Sequence, residues 1–62
     1  MPIVRIEMLE GRTHSQKAQL VAGIADVLHQ VLECDQSSTV VCISELSKAN
    51  WSVGGQFLAD ER

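Results

Sequence analysis

The sequence has few residues that stabilise a small domain covalently or through a metal. Its 62 residues include only two cysteines, and no group of possible ligands has the spacing of a metal site. A chain this short buries only about 60% of its unfolded surface and is marginal as a monomer. Without a disulfide framework or a zinc site, oligomerisation is the remaining route to stability. Because the hydrophobic fraction is as high as 45%, we expect a homo-oligomer. The sequence predicts no cofactor.

Basic residues and long apolar runs are also scarce. Five Lys and Arg residues are scattered along a chain of net charge −3, which leaves no basic patch for nucleic acid. Asp26 interrupts the longest apolar stretch, which stays short of the ~20 residues of a membrane span. The N-terminus lacks the basic and apolar regions of a signal peptide. We therefore expect a cytoplasmic protein that binds neither nucleic acid nor membrane.

The residues that are present predict a strand followed by a long amphipathic helix. Apolar and charged side chains alternate over residues 3–9, which is typical of a half-buried strand. Thr13 and Gln16 have the spacing of a capping box, and the apolar pattern behind them predicts a helix from about Thr13 to Glu33. Gly23 lies inside this helix at a cost of up to about 1 kcal/mol against alanine, which close contact with the sheet would explain.

A second strand is predicted over Thr39–Leu46. Its start is nearly continuous in apolar residues, as expected for a strand covered on both faces, and Cys42 is interpreted as a core thiol. A strand, a crossover helix and another strand form a right-handed β-α-β unit with parallel strands, which makes the fold α/β. Two parallel strands alone are not stable in water, so this is a second reason to expect that subunits join.

A short C-terminal hairpin completes what we predict to be a single domain over residues 1–62. Gly54 and Gly55 provide a tight turn between two short strands, and such a hairpin could add to the sheet of a neighbouring subunit. Trp51, one of only two aromatic residues, precedes the turn. It is interpreted either as an interface anchor or as the apolar wall of a pocket.

Pro2 and Arg12 are the candidates for chemistry. Removal of Met1 would leave Pro2 with a secondary amine, which can act as a base near neutral pH if an apolar wall and a nearby cation lower its pKa. Arg12, just beyond the first strand, offers a fixed positive charge to an anionic substrate. The alternative is structural, since proline also opens edge strands, where its missing N–H costs nothing. His14 and His29 have no geometry for a base or a ligand.

These segments together resemble the 4-oxalocrotonate tautomerase family, the 2-hydroxymuconate tautomerases of the tautomerase superfamily. The resemblance extends over essentially the whole chain. The matching segments are Pro-Ile-Val-x-Ile at 2–6, Leu-Glu-Gly-Arg-Thr at 9–13, Gln-Lys at 16–17, Ile-Ser-Glu at 43–45 and Trp-Ser-Val-Gly-Gly at 51–55. The resemblance implies a tautomerase fold like that of macrophage migration inhibitory factor, assembled as a homohexamer that is a trimer of dimers. It also implies keto–enol tautomerisation of small carboxylate substrates, 2-hydroxy-dienoates or related 2-oxo acids, in the catabolism of aromatic hydrocarbons.

The same resemblance implies roles for individual residues. Pro2 matches the proline that acts as general acid and base, and Arg12 matches an arginine that binds the substrate carboxylate. Trp51 falls where the family has an aromatic pocket wall, usually phenylalanine. Leu9 and Ser38 fall at positions that line the site, with Ser38 reached from a neighbouring subunit.

Val40 departs from the family pattern, because the best-known members carry at this position a second arginine that polarises the substrate carbonyl. Loss of one such donor costs about 10²–10³ in rate in other enzymes. We therefore expect a monocarboxylate substrate, or a weaker and broader activity, rather than efficient turnover of 2-hydroxymuconate. Two alternatives stay open: a catalytically weak or silent oligomeric subunit, and a proline-dependent dehalogenase or hydratase.

Overall fold

The computed structural model describes residues 1–60, and its main element is a parallel β-α-β unit. Strand β1 is Ile3–Leu9, helix α1 is His14–Leu32 and strand β2 is Val40–Leu46. The two strands pair in parallel along their whole length. The predicted α/β architecture is confirmed, and all three elements begin and end within one residue of the predicted positions.

The tail forms the predicted hairpin. Strand β3, Ser52–Val53, pairs antiparallel with strand β4, Gln56–Phe57. Gly54 and Gly55 between them have φ values of 62° and 84°, which side chains other than glycine rarely adopt. The hairpin turn therefore depends on this glycine pair.

Helix α1 begins at a complete capping box. The Thr13 hydroxyl accepts the backbone N–H of Gln16 at 3.1 Å, and the Gln16 side-chain oxygen accepts the backbone N–H of Thr13 at 3.0 Å. These two bonds satisfy donors that the first helical turn otherwise leaves unpaired. Lys17 in the same turn forms an ion pair with Glu45 of β2, a partly exposed contact of a kind that contributes little to stability.

The helix covers only one face of the sheet. Val4, Ile6 and Ile43 point to the covered face and are half-buried. Arg5 and Cys42, which are paired in register on the opposite face, are exposed. The interpretation of Cys42 as a core thiol and of β2 as covered on both faces is therefore wrong for a single chain, because one helix can pack against one face only.

Gly23 lies in a groove lined by residues of α1, not in close contact with the sheet. A Cβ placed on Gly23 would meet no atom within 4 Å, so the predicted reason for this glycine is wrong. The groove has a volume of ≈ 490 Å³, and Leu20 and Val27 are among the apolar residues that line it. Val27 is 57% exposed, and Val31, one turn further along, is 72% exposed. The apolar stripe of the helix is thus wider than the sheet can cover.

The isolated chain has no core of its own. No side chain among residues 1–60 is buried. The chain measures 45 × 24 × 14 Å, and its radius of gyration is 15.0 Å, whereas a compact domain of this length has about 11 Å. The hydrophobic effect therefore favours further burial at the open face of the sheet and at the groove on the helix.

Replacing Thr13 with alanine is expected to lower the free energy of unfolding by about 1 kcal/mol, because the N–H of Gln16 loses its acceptor. The measurement is the urea midpoint at a fixed protein concentration, since stability depends on concentration if copies associate. Ser15→Ala, two residues further on, is the matched control and should change stability by less than about 0.5 kcal/mol. Equal midpoints for Thr13→Ala and the unaltered protein would contradict the role of the capping box.

Candidate active site

The loops that follow β1 and β2 meet at one end of the sheet and form a cleft of ≈ 510 Å³. The carboxyl ends of parallel strands lie at the same edge of a sheet, which brings the loop that carries Arg12 beside the loop that carries Trp51. Leu9, the last residue of β1, also lines the cleft. Three of the predicted site residues therefore lie together, although they come from two separate parts of the chain.

The backbone around this cleft is held by specific contacts. The N–H of Glu10 donates to the carbonyl of Leu46 at 2.9 Å, which extends the strand pairing by one residue beyond β1. Gly11 then turns the chain with a φ of 120°, a conformation that favours glycine, and Arg12 follows directly. On the other side, the carbonyl of Trp51 accepts the N–H of Leu58 at 2.8 Å. This bond folds the end of the hairpin back toward the cleft.

Trp51 is half-buried at the junction of two clefts. It lines the larger cleft beside Arg12, and it also lines a smaller one of ≈ 240 Å³ with Glu7 and Asn50. An indole in this position presents a large apolar surface to a bound molecule, and its only polar group is one N–H. Trp51 therefore has the geometry of a pocket wall within one chain.

Sequence reasoning missed Lys48, which lines the same cleft as Arg12. A signal for it was available, because Lys48 stands three residues before Trp51 in the loop after β2. The rule that carboxyl ends of parallel strands share one edge would have placed this loop beside Arg12. Glu10 is the acidic residue of the cleft, and Met8 and Leu58 add apolar surface.

Pro2 lies at the opposite end of the sheet. Its carbonyl accepts the N–H of Val40 at 3.0 Å, which extends the parallel pairing by one residue before β1. Pro2 is half-buried, whereas Met1 is 84% exposed. With Met1 attached, the nitrogen of Pro2 belongs to a peptide bond and has no basicity. The exposure of Met1 leaves this residue accessible for removal.

Ser38 lies at the same end as Pro2, in a 3₁₀ turn over Gln36–Ser38. The Ser38 hydroxyl donates to the carbonyl of Asp35 at 2.8 Å, and the Asp35 carboxylate accepts the backbone N–H of Ser37 at 3.1 Å. That hydrogen bond from Ser37 lowers the pKa of Asp35 below its ordinary value of 3.8. The Asp35 carboxylate and carbonyl thus both accept hydrogen bonds within the turn that carries Ser38.

One protomer does not bring Pro2 and Arg12 together. The two residues flank β1, which has seven residues and spans roughly 20 Å at about 3.3 Å per residue. A small carboxylate bound at Arg12 is too short to reach the nitrogen of Pro2 in the same chain. The expected proximity of the amine and the guanidinium therefore requires Pro2 from one copy and Arg12 from another.

Metal-ligand clusters and membrane-spanning helices are two further features that can be compared with residues 1–60. This part of the chain brings together no cluster of three or more His, Cys, Asp or Glu side chains that could hold a metal ion. The Nδ1 atom of His29 lies 2.6 Å from the carbonyl of Cys34, which makes this histidine part of the connection after α1. Within the same residues, no helix combines the length and the apolar character needed to cross a membrane.

The comparisons with known proteins agree with this architecture. Residues 2–61 match the family model described as tautomerase enzyme. The 2-hydroxymuconate tautomerase of Bacillus subtilis (strain 168) is 37% identical over 60 residues, which cover 97% of this chain and 97% of the relative.

Solved structures are similar over nearly the whole length. The crystal structure of YwhB, a homologue of 4-oxalocrotonate tautomerase, matches with a TM-score of 0.90 and 34% identity and covers 98% of this chain and 100% of that one. A heterohexamer 4-oxalocrotonate tautomerase from Chloroflexus aurantiacus J-10-fl matches with a TM-score of 0.89 and 32% identity over 100% of both chains.

The fold and the matched structures define a β-α-β protein of the tautomerase fold, as the sequence resemblance indicated. The chain belongs to the tautomerase family. Membership supports a tautomerase activity, and hence an isomerase, in general terms.

Because Trp51 is the only tryptophan, its fluorescence is expected to report directly on the cleft. Muconate, a conjugated dicarboxylate without a 2-hydroxyl group, should change the emission saturably when tryptophan is excited at the red edge of its absorption band. Its dimethyl ester should give a much smaller change, because a guanidinium such as that of Arg12 pairs with a carboxylate and not with a neutral ester. Equal responses to the acid and the ester would show that Arg12 does not bind the anion in this cleft.

Proposed function

We propose that this chain, once Met1 is removed, is a keto–enol tautomerase of 2-hydroxy-dienoates or related 2-oxo acids. Pro2 is the general acid and base, Arg12 binds the substrate carboxylate, and Trp51 and Leu9 form the apolar wall. Ser38, which lies at the same end of the sheet as Pro2, lines the site, and the family resemblance implies that a neighbouring subunit provides it. Three further expectations stay predictions. They are a cytoplasmic location, a place in aromatic hydrocarbon catabolism, and the extension of the single domain to residue 62, which lies beyond the described residues.

The observation that carries the proposal is the cleft in which Arg12 and Trp51 lie together, in a chain of the tautomerase family. A guanidinium beside an aromatic and apolar wall suits a substrate with one charged end and a flat unsaturated body. The cleft volume of ≈ 510 Å³ is within the range of small-molecule sites.

The proposed reaction is the transfer of one proton within the substrate. The neutral amine of Pro2 takes the proton from the 2-hydroxyl group, and the electron pair shifts along the conjugated system. The resulting ammonium then returns a proton to a vinylogous carbon, so that no atom is gained or lost. A secondary amine is a base near neutral pH only if its pKa is lowered, which an apolar surrounding and the guanidinium of Arg12 from a second copy would both do.

We further propose that the site forms in a homo-oligomer, for which the family suggests a hexamer built as a trimer of dimers. The absence of buried side chains in residues 1–60, the open sheet face and the groove on α1 support association. The Chloroflexus aurantiacus relative is a heterohexamer, which supports an assembly of six subunits for this chain as well. Association of copies also provides the means to join Pro2 to a distant Arg12.

The first prediction from this proposal concerns turnover. Protein whose N-terminus is shown by mass spectrometry to be Pro2 should tautomerise phenylenolpyruvate, and 2-hydroxymuconate less efficiently, in a spectrophotometric assay. Pro2→Ala should lower kcat at least about tenfold, because the primary amine that replaces it is a less suitable acid and base. Arg12→Ala should mainly raise KM, because it removes binding that the ground state and transition state share.

Lys17→Ala provides the control for loss of a positive charge, since Lys17 lies on α1 and does not line the cleft. It should leave both kinetic constants close to those of the unaltered protein. Unchanged kinetics in both Pro2→Ala and Arg12→Ala would rule out the assigned roles.

The second prediction concerns the sharing of the site between copies. At substrate concentrations well below KM, Pro2→Ala and Arg12→Ala chains that are mixed, unfolded and refolded together should recover about a quarter of the unaltered turnover. This fraction follows because half of the prolines and half of the arginines are intact and combine at random. Each variant refolded separately is the control. A mixture no more active than the average of the two controls would place the complete site within one chain.

A second candidate function is a silent or weakly active subunit of a hetero-oligomer. Val40 favours it, because the arginine that this position holds in the family's best-known members is missing. The existence of a heterohexamer relative shows that the family includes assemblies of unlike chains. No turnover of either substrate by protein with a proven Pro2 terminus would favour this candidate over the enzyme.

A further inference from the structure

We propose that Lys48 is a substrate-binding residue that acts with Arg12 on the same carboxylate and thereby determines which acids the site accepts. This inference rests on the proposed function, because it assigns a second cation to the proposed cleft. Binding of a carboxylate by Lys48 is also testable without any turnover.

The placement of Lys48 is set by the backbone. Lys48 opens the 3₁₀ turn Lys48–Asn50 directly after β2, and the N–H of Trp51 donates to its carbonyl at 3.5 Å. The turn therefore keeps the backbone of Lys48 close to that of Trp51. Both residues line the same cleft as Arg12, which follows β1. Lys48 is exposed, so its ammonium group is reachable by a molecule from solution.

The charges of the cleft favour an anion. Two cations, Arg12 and Lys48, line it together with one carboxylate, that of Glu10. Within residues 1–60, the ion pair that the structure forms is between Lys17 and Glu45, so neither cation of the cleft is neutralised by a salt bridge there. Arg12 offers a planar fork that binds a carboxylate through two hydrogen bonds, and Lys48 adds a flexible point charge.

This arrangement gives a reason why the chain can function with Val40. At the end of the sheet where Pro2 lies, Val40 provides no charge, whereas the opposite end has two cations. The positive charge is therefore concentrated where the substrate carboxylate binds, not where the carbonyl is polarised. The site should accept acids that place one carboxylate between Arg12 and Lys48 and lay an unsaturated or aromatic body against Trp51.

The test compares Lys48→Met, which keeps the apolar stem, with Lys48→Arg, which keeps the charge. Lys48→Met should raise KM for phenylenolpyruvate about tenfold, the effect of losing one charged hydrogen bond, with little change in kcat. Lys48→Arg should restore KM. The KM difference between Lys48→Met and the unaltered protein should shrink as salt is added, because exposed charges are screened.

Lys17→Met is the matched control, since it removes the same side chain from a position outside the cleft. Its KM should stay within about twofold of the unaltered protein, because a single charge removed outside the cleft has little effect there. Lys48→Gln serves as a second variant if Lys48→Met does not fold. A KM that is unchanged in the folded Lys48 variant, or raised equally in Lys17→Met, would overturn the proposal.

Binding measured by Trp51 fluorescence separates this proposal from the proposed function. If the protein with a Pro2 terminus turns over neither substrate, the tautomerase proposal fails, and muconate binding alone then tests Lys48. An approximately tenfold weaker affinity for muconate in Lys48→Met, rescued in Lys48→Arg, would support the role of Lys48 as an anion-binding residue. Equal affinities in all three proteins would reject it, whatever the activity.

Discussion

One helix can cover only one face of a two-stranded sheet, and this geometric limit governs the whole molecule. The face that carries Val4 and Ile6 packs against α1, while the face that carries Arg5 and Cys42 stays open. Helix α1 in turn has more apolar surface than the sheet can cover, because its apolar stripe continues to the exposed Val27 and Val31. The protomer is therefore a component whose stability depends on surfaces that it cannot cover itself, which is the physical basis for proposing an oligomer.

The same geometry divides the candidate site. A parallel strand pair has two distinct ends, and the chain places Pro2 and Ser38 at one of them and Arg12 and Trp51 at the other. No movement of side chains can close a separation of about 20 Å along β1. In this arrangement, association that buries apolar surface would also complete the site. Stability and catalysis would then depend on the same contacts between copies.

The electrostatics of the cleft connect the fold to the choice of substrate. Loops after parallel strands converge, so the fold gathers charges from two distant parts of the sequence, Arg12 and Lys48. At the other end, Val40 brings no charge near Pro2. Any lowering of the pKa of a free Pro2 amine would then depend on apolar surroundings and on a guanidinium from another copy.

The sequence by itself determined the local structure of this protein, since every signal for it lies within a few residues. The capping box of Thr13 and Gln16, the alternation of β1 and the Gly54-Gly55 turn are short-range features, and the family resemblance identified Pro2 and Arg12. The predicted strand over residues 3–9 already implied that Pro2 and Arg12 flank β1, and parallel pairing implies that the loop after β2 lies beside Arg12. Only the tertiary structure decided that Lys48 of this loop lines the cleft and that Cys42 lies on an open face. These facts depend on which face the single helix covers and on the course of the loop after β2, and neither is encoded in the pattern of neighbouring residues.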